Sequence, residues 1–97
     1  AYIANHYSEE LSAEILASAV YLTPDYLSRL FKKSTGKSIS QYIRQYRMEK
    51  AKDALLHTQK KVIEIGIQSG YPNYSYFCQS FREYFGSSPE KYRQEHA

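Results

Sequence analysis

Residues 38–57 read Ser-Ile-Ser-Gln-Tyr-Ile-Arg-Gln-Tyr-Arg-Met-Glu-Lys-Ala-Lys-Asp-Ala-Leu-Leu-His, a stretch that predicts one long helix. Ser38 and Gln41 form a capping box, in which a hydroxyl and an amide bind N–H groups that lack partners inside the helix. No Gly or Pro interrupts the stretch, and an apolar row follows at helical spacing, formed by Met48, Ala51 and Leu55. At about 1.5 Å per residue the helix spans roughly 28 Å, close to the ~34 Å between successive major-groove openings on one side of a DNA duplex. Whether this match in length has a function depends on the sequence on either side of the helix.

The composition is that of an ordinary globular domain. The chain has 97 residues, of which 42% are hydrophobic and 24% charged. No apolar run approaches the ~20 residues of a membrane span, and no signal peptide opens the chain. The single cysteine, Cys78, excludes an internal disulfide and is compatible with a reducing cytoplasm, where we expect the protein to act. Because the first residue is Ala1 and not Met, we expect the chain to be part of a longer protein.

The net charge of +3 is unevenly distributed. Residues 1–28 carry four acids and no Lys or Arg, residues 29–52 carry eight bases against Glu49, and residues 53–97 carry five of each. A basic segment of this density suits binding to phosphate. Charge alone leaves open the alternative that the basic segment is a solvent-exposed helix face without a partner.

Capping signals divide the rest of the chain into shorter helices and predict an all-α fold of about seven helices. Thr23-Pro24 and Ser88-Pro89 each pair a capping hydroxyl with a proline at the first helical position. Gly36 and Gly86 are placed to end the helices that precede them. Besides the long helix, we predict helices over residues 2–7, 13–19, 24–35, 62–69, 74–85 and 89–94.

Apolar spacing within two of these helices predicts which side chains they bury. The helix over residues 24–35 has three apolar residues at i, i+3 and i+4, namely Leu27, Leu30 and Phe31. The helix over residues 74–85 has Phe77 and Phe81, with either Tyr84 or Phe85 as a third buried residue. The opposite faces of both helices are polar and are predicted to be exposed.

The two ends of the chain resemble each other at an offset of 50 residues. The matched positions are Tyr26-Leu27 with Tyr76-Phe77, Phe31-Lys32 with Phe81-Arg82, Gly36 with Gly86, Ser38 with Ser88, and Tyr42 with Tyr92. Ahead of the turn an offset of 49 pairs Leu16-Ala17 with Ile65-Gly66, so the second turn is predicted to be one residue longer. Each copy then reads as a helix-turn-helix, whose second helix can lie in a DNA major groove. A helix pair that only packs on its neighbours is the alternative, but duplication around a basic helix favours DNA binding.

At this level of detail the sequence resembles the AraC/XylS transcription regulators. Residues 70–93 read Gly-Tyr-Pro-Asn-Tyr-Ser-Tyr-Phe-Cys-Gln-Ser-Phe-Arg-Glu-Tyr-Phe-Gly-Ser-Ser-Pro-Glu-Lys-Tyr-Arg, similar to the signature of that family. Residues 27–38, Leu-Ser-Arg-Leu-Phe-Lys-Lys-Ser-Thr-Gly-Lys-Ser, are similar to the family's first unit, and Arg47 with Ala51 and Leu55 resembles its linker helix. The chain departs from the family at four positions, which are Gly66 in place of Ala, Tyr71 in place of Phe, and the pair Cys78 and Gln79. Glycine inside a helix costs about 1 kcal/mol relative to alanine, so the helix over residues 62–69 is expected to be less stable than its counterpart.

The resemblance implies one DNA-binding domain over residues 1–97. Residues 1–37 and 58–97 would each form a helix-turn-helix unit, and residues 38–57 would form the linker helix between them. The helices over residues 24–35 and 74–85 would enter adjacent major grooves of a bent duplex as recognition helices. The second of them differs from the family at Cys78 and Gln79, so its sequence preference is expected to differ.

Carried over by position, the resemblance also implies which residues touch DNA. The residues expected to read base edges are Asp25, Ser28 and Arg29 in the first unit and Tyr74, Ser75, Cys78 and Gln79 in the second. Arg29 can bind guanine through two hydrogen bonds and Gln79 can bind adenine in the same way. Asp25 can accept a hydrogen bond from the amino group of cytosine, orient Arg29, or interact favourably with the positive end of the helix dipole. The residues expected to contact phosphate are Thr23, Lys32, Lys33 and Lys37 in the first unit and Asn73 and Arg82 in the second.

Other kinds of site find little support in the sequence. His6, His57 and His96 are far apart and lack the closely spaced partners of a zinc site. No glycine-rich phosphate loop or nucleophile elbow occurs. We therefore predict a domain that is not an enzyme, holds no cofactor or metal, and binds double-stranded DNA.

A second function of a different class stays open beside DNA binding. The acidic residues 1–28 could contact RNA polymerase or a partner regulator. The signal would come from an effector-binding or receiver domain upstream of the chain.

Overall fold

The computed structural model describes residue 3, residues 6–9 and residues 11–96, and within them the chain is helical without a strand. Six helices have defined bounds there: α1 (Ala13–Ala19), α2 (Pro24–Thr35), α3 (Ile39–His57), α4 (Val62–Gln68), α5 (Tyr74–Phe85) and α6 (Pro89–Glu95). The predicted all-α fold is confirmed. Of the further helix predicted over residues 2–7, residues 2, 4 and 5 lie outside the described residues, while Ile3 is helical and buried.

The chain divides into two compact units, Ala1–Tyr46 and Arg47–Ala97, called here the first unit and the second unit. The dividing point falls within α3, so this helix contributes its first residues to one unit and its last residues to the other. The functional division into residues 1–37, 38–57 and 58–97 stays a prediction.

The start of α3 has the capping box that the sequence predicts. The Ser38 N–H donates to Gln41 Oε1 at 3.1 Å, and the Gln41 N–H donates to Ser38 Oγ at 3.2 Å. Each side chain thus binds an N–H group that has no partner within the helix. From this start α3 continues without interruption for 19 residues to His57.

The internal repeat is confirmed in the bounds of the helices. α2 and α5 are both 12 residues long and start 50 residues apart, whereas α1 and α4 are both seven residues long and start 49 residues apart. Thr23 Oγ1 accepts from the Tyr26 N–H at 3.3 Å, and Asn73 Oδ1 accepts from the Tyr76 N–H at 2.9 Å, so both second helices have side-chain N-caps. Both end at a left-handed glycine, and the turn of the second copy is one residue longer, as predicted.

Among the described residues the core of the first unit is small, and α2 covers it with only one side. Its buried members are Ile3, Leu16, Ile39 and Ile43. Leu27 and Phe31 are partly buried against them, and the Phe31 ring meets the Tyr42 ring edge-on at 5.1 Å. The prediction that Leu30 is buried is wrong, because its side chain is 43% exposed. A core of this size is wide enough for two of the three apolar side chains on α2.

The second unit has a larger core, built around aromatic rings. Its buried members are Met48, Ala51, Leu55, Val62, Ile65, Tyr71, Phe77 and Phe81. Phe85 packs against this core while Tyr84 is exposed, which settles the alternative between them. On α4 only Ile65 of the three isoleucines is buried, since residues two apart on a helix cannot share a face.

Gly66 has a packing role that the sequence analysis did not anticipate. A Cβ atom added at Gly66 would lie 2.8 Å from Cδ2 and 3.0 Å from Cγ of the buried Phe77 ring. The glycine therefore allows α4 and α5 to approach each other closely. The expectation that α4 is less stable than its counterpart stays a prediction.

Arg93 binds the end of α3 from α6. Its Nε donates to the Leu55 carbonyl at 3.0 Å, and its Nη2 donates to the Thr58 carbonyl at 3.4 Å. These carbonyls belong to the last turn of α3 and to the residue just after it, where no further helical N–H follows to bind them. A guanidinium there also complements the negative end of the helix dipole.

Candidate nucleic-acid interface

The first unit presents a polar and basic face along α2. All the predicted contact residues within α2 are exposed, namely Asp25, Ser28, Arg29, Lys32 and Lys33, and the N-cap Thr23 is exposed as well. Positions three and four apart on a helix lie on neighbouring turns of one face, so Asp25, Ser28, Arg29 and Lys32 follow one another along α2. The helix therefore offers a row of hydrogen-bonding and positively charged groups to a partner.

Three cations of α2 have no acidic partner among the described residues. Within the described residues, the side chains of Arg29, Lys32 and Lys33 make no ion pair or hydrogen bond. Asp25 does not pair with Arg29 there either, and its role stays a prediction. Lys37 differs from the other three, because it is half-buried and its Nζ donates to Gln45 Oε1.

The second unit presents α5 in the same way but with different chemistry. Tyr74, Ser75, Gln79 and Arg82 are exposed on this helix, and the N-cap Asn73 is exposed before it. Cys78 is half-buried. The predicted contact residues of each helix thus lie at or near its surface, and whether they touch DNA stays a prediction.

Two of the predicted base-reading side chains of α5 are bound by carboxylates of the same unit. The Tyr74 hydroxyl donates to Glu90 Oε1 at 3.4 Å, and Gln79 Nε2 donates to Glu83 Oε1 at 3.3 Å. A hydrogen bond to the Cys78 thiol, followed by desolvation and the negative charge of Glu90, raises the pKa of Tyr74 to about 12. Tyr74 is therefore a protonated phenol at any physiological pH.

Glu83 and Glu90 were not among the predicted site residues. The i, i+4 spacing of Gln79 and Glu83 on one helix could have indicated their contact from the sequence. The approach of Glu90 to Tyr74 joins residues of two different helices, and no local pattern indicates it.

Neither a metal site nor a membrane span is found in the described part of the chain. No group of three or more His, Cys, Asp or Glu residues within residues 3, 6–9 and 11–96 could hold a metal ion. None of the helices described here is long and apolar enough to cross a membrane.

Two helix-turn-helix motifs, each with an exposed polar second helix, place the chain in the class of helix-turn-helix proteins. A family described as "Helix-turn-helix domain" matches residues 16–95, most of the chain. The C-terminal domain of the two-component response regulator yesN from Fusobacterium nucleatum is 36% identical and superposes with a TM-score of 0.90, covering 95% of this chain and 90% of that one. The chain therefore belongs to the family that its signature resembles, the AraC/XylS transcription regulators, as a helix-turn-helix DNA-binding domain.

Two further relatives show the setting in which such domains occur. The DNA-binding domain of AdpA, solved in complex with a target DNA, is 26% identical with a TM-score of 0.92 over 98% of this chain and 86% of that one. The regulatory protein PocR of Salmonella typhimurium is 38% identical over 94 residues, which are 97% of this chain and 31% of PocR. The chain spans about a third of the length of the curated relatives that it matches first.

Proposed function

We propose that the chain binds double-stranded DNA in a sequence-specific way as the output domain of a bacterial transcription regulator. The observation that carries the proposal is the duplicated helix-turn-helix, in which α2 and α5 have the same length, a side-chain N-cap, a left-handed glycine as C-cap and an exposed polar face. Membership of the AraC/XylS family supports it. In this proposal α2 and α5 are the recognition helices and enter adjacent major grooves.

In the first unit Asp25, Ser28 and Arg29 read base edges. Arg29 suits this role because its guanidinium is exposed and no acid within the described residues competes for it. A guanidinium can donate two hydrogen bonds at once to guanine O6 and N7. The surrounding groups Thr23, Lys32, Lys33 and Lys37 hold the DNA backbone and carry no sequence preference.

In the second unit Tyr74, Ser75, Cys78 and Gln79 read base edges, while Asn73 and Arg82 contact phosphate. The bond from Gln79 Nε2 to Glu83 uses one of its two amide hydrogens. The other hydrogen and Oε1 remain for a base, which is the pair of groups that adenine N7 and N6 require. Glu83 thereby favours the orientation of Gln79 that recognises adenine.

The proposal extends to the surroundings of the domain. It acts in the cytoplasm, has no catalytic activity, cofactor or metal of its own, and works as part of a longer regulator whose other domain binds an effector or receives a phosphoryl group. Contact with RNA polymerase through the acidic residues near the N-terminus belongs to the same proposal.

The test is selection of duplexes from a random pool, followed by affinity measurements on the selected site and on a scrambled site of equal length. We expect a preference for the selected site of at least 10³-fold, in the range of specific DNA-binding proteins. Affinity for both sites should fall steeply with salt, because phosphate contacts release counterions. A pool that yields no enriched sequence, or binding that is insensitive to salt, would contradict the proposal.

A further inference from the structure

A groove of about 510 Å³ lies within the first unit, beside the recognition helix. The side chains of Ser28, Arg29, Lys32 and Lys33 line it from α2, and Ser38 and Ser40 line it from the start of α3. Among the described residues, no carboxylate is part of this lining. Since the three cations also lack partners within the described residues, their mutual repulsion is relieved only by solvent or by a bound anion.

The start of α3 adds hydrogen-bond donors to the same groove. The capping box satisfies the N–H groups of Ser38 and Gln41. It leaves the N–H groups of Ile39 and Ser40, both lining residues, with no hydrogen-bond partner in the described chain. With Arg29 directed to a base edge in the proposed complex, the groove still combines the ammonium groups of Lys32 and Lys33, exposed hydroxyls and two free N–H groups, which together match the charge and the acceptor oxygens of a phosphate.

The repeat provides an internal comparison, because every one of these positions has a counterpart 50 residues later. Lys33 corresponds to Glu83 and Ser40 to Glu90, while Arg29 corresponds to Gln79. In the second unit both carboxylates already bind neighbouring side chains, Tyr74 and Gln79. The counterpart of Ile39 is Pro89, which has no N–H group. The second unit therefore keeps one cation of the set, Arg82 at the position of Lys32, but has a carboxylate in place of Lys33 and of Ser40 and lacks the donor of Ile39.

We infer that the groove beside α2 is a phosphate-binding site, and that the described residues of the second unit form no counterpart of this groove. In the DNA complex its ligand is a phosphate of the duplex backbone, a step that rests on the proposed function. The first unit then supplies most of the salt-dependent affinity, whereas the second unit binds mainly through base edges.

Ser40→Glu is the decisive variant, because it changes folding and binding in opposite directions. A carboxylate in the first turn of α3 favours the helix dipole, so the melting temperature should stay the same or rise. The same carboxylate repels phosphate from the groove. We expect a 5- to 10-fold loss of affinity for the selected duplex and a slope of log K against log salt that is shallower by about one.

Two further variants complete the design. Ser18→Glu makes the same substitution at an exposed position of α1 that does not line the groove, and it should leave the slope nearly unchanged. The double variant Glu83→Lys/Glu90→Ser introduces the residue types of the first unit into the second. It should bind the scrambled duplex more tightly, with a slope that is steeper by about one, while the preference for the base that Gln79 reads should weaken because Glu83 no longer orients Gln79.

Inorganic phosphate distinguishes a site for DNA from a site for a free phosphate compound. Titrated against chloride at equal ionic strength, it should shift the amide NMR signals of Ile39 and Ser40 to saturation in the wild type and not in Ser40→Glu. If phosphate saturates the groove while Ser40→Glu binds DNA like Ser18→Glu, the site exists but the DNA assignment is wrong. If neither phosphate nor the variant has an effect on a protein that binds its selected duplex, the inference is wrong and the proposed function stands. If the wild type selects no duplex, the proposed function fails, and the phosphate titration alone decides the site.

Discussion

Gly66 lies so close to Phe77 that a Cβ atom at Gly66 would stand 2.8 Å from Cδ2 of the ring. Phe77 is fully buried and its ring contacts Tyr71 and Phe81, with ring centroids at 5.6 Å and 6.0 Å, so it has little room to move aside. Overpacking a well-filled core costs about 1–3 kcal/mol, while alanine in a helix gains about 1 kcal/mol over glycine. We therefore expect Gly66→Ala to lower the free energy of unfolding by about 1 kcal/mol, as measured by urea denaturation.

Two controls isolate the steric part of this effect. Gln68→Ala changes an exposed position of α4 away from the Phe77 ring and removes only a surface hydrogen bond from Lys60 Nζ at 3.1 Å, so it should change stability by less than about 0.5 kcal/mol. In a Phe77→Leu background the smaller side chain leaves room for a methyl group, so Gly66→Ala should be stabilising there. An increase in stability from Gly66→Ala in the wild-type background would show that the ring moves freely.

Arg93 is expected to stabilise the second unit through the end of α3. Truncation by Arg93→Ala leaves the carbonyls of Leu55 and Thr58 without their charged donor. Because hydrogen bonds to charged groups contribute about 1.5–3 kcal/mol and this site is partly exposed, we expect a loss near the lower figure. Lys91→Ala serves as the matched control, because Lys91 is exposed and only pairs with Glu95 at 3.8 Å on the surface. Thermal unfolding of the two variants should separate them by several degrees, and equal melting temperatures would contradict this role.

Local signals predicted the helix boundaries well because caps are local interactions. Ser38 with Gln41, and Thr23 and Asn73 as N-caps, bind N–H groups within three residues, so their pattern is readable from the sequence. Leu30 is an exception, because helical spacing predicts which face of α2 is apolar but not how many of its side chains the core can bury. Its exposure follows from the small core of the first unit.

The candidate site was predictable in its positions and less so in its contacts. The family resemblance selected positions on α2 and α5, and most of these residues lie at the surface of the protein. The bond from Tyr74 to Glu90 joins residues 16 apart, and that from Arg93 to Leu55 joins residues 38 apart. Such pairs depend on how helices pack, and no spacing rule within one helix contains that information.

Tyr21 occupies a strained backbone conformation in the turn between α1 and α2. Its φ is +59°, its side chain is 95% exposed, and its counterpart 49 residues later is Gly70 with φ +99°. A left-handed conformation costs a residue with a side chain about 1–2 kcal/mol. Glycine avoids this cost, but the greater conformational entropy that it gives the unfolded chain lowers stability by about 0.5–1 kcal/mol. We expect Tyr21→Gly to raise stability by about 0.5 kcal/mol, measured by urea denaturation, with Gly70→Ala as the opposite change that lowers it. A loss of stability from Tyr21→Gly would mean that the exposed ring of Tyr21 stabilises the protein by more than the strained backbone destabilises it.

Arg29 and Lys32 stand one turn apart on α2, and we expect their removal to have different consequences. Arg29→Ala should cost about 1–3 kcal/mol on the selected duplex and relax the preference at one base pair, because a two-point contact to guanine is lost. Lys32→Ala should weaken all sequences alike and reduce the salt slope by about one, because a phosphate contact carries no sequence information. Affinities for the selected site and for its single-base-pair variants, measured at two salt concentrations, separate the two patterns. If Arg29→Ala weakens selected and scrambled duplexes equally, Arg29 holds the backbone, and the sequence preference of the first unit has to come from Asp25 and Ser28.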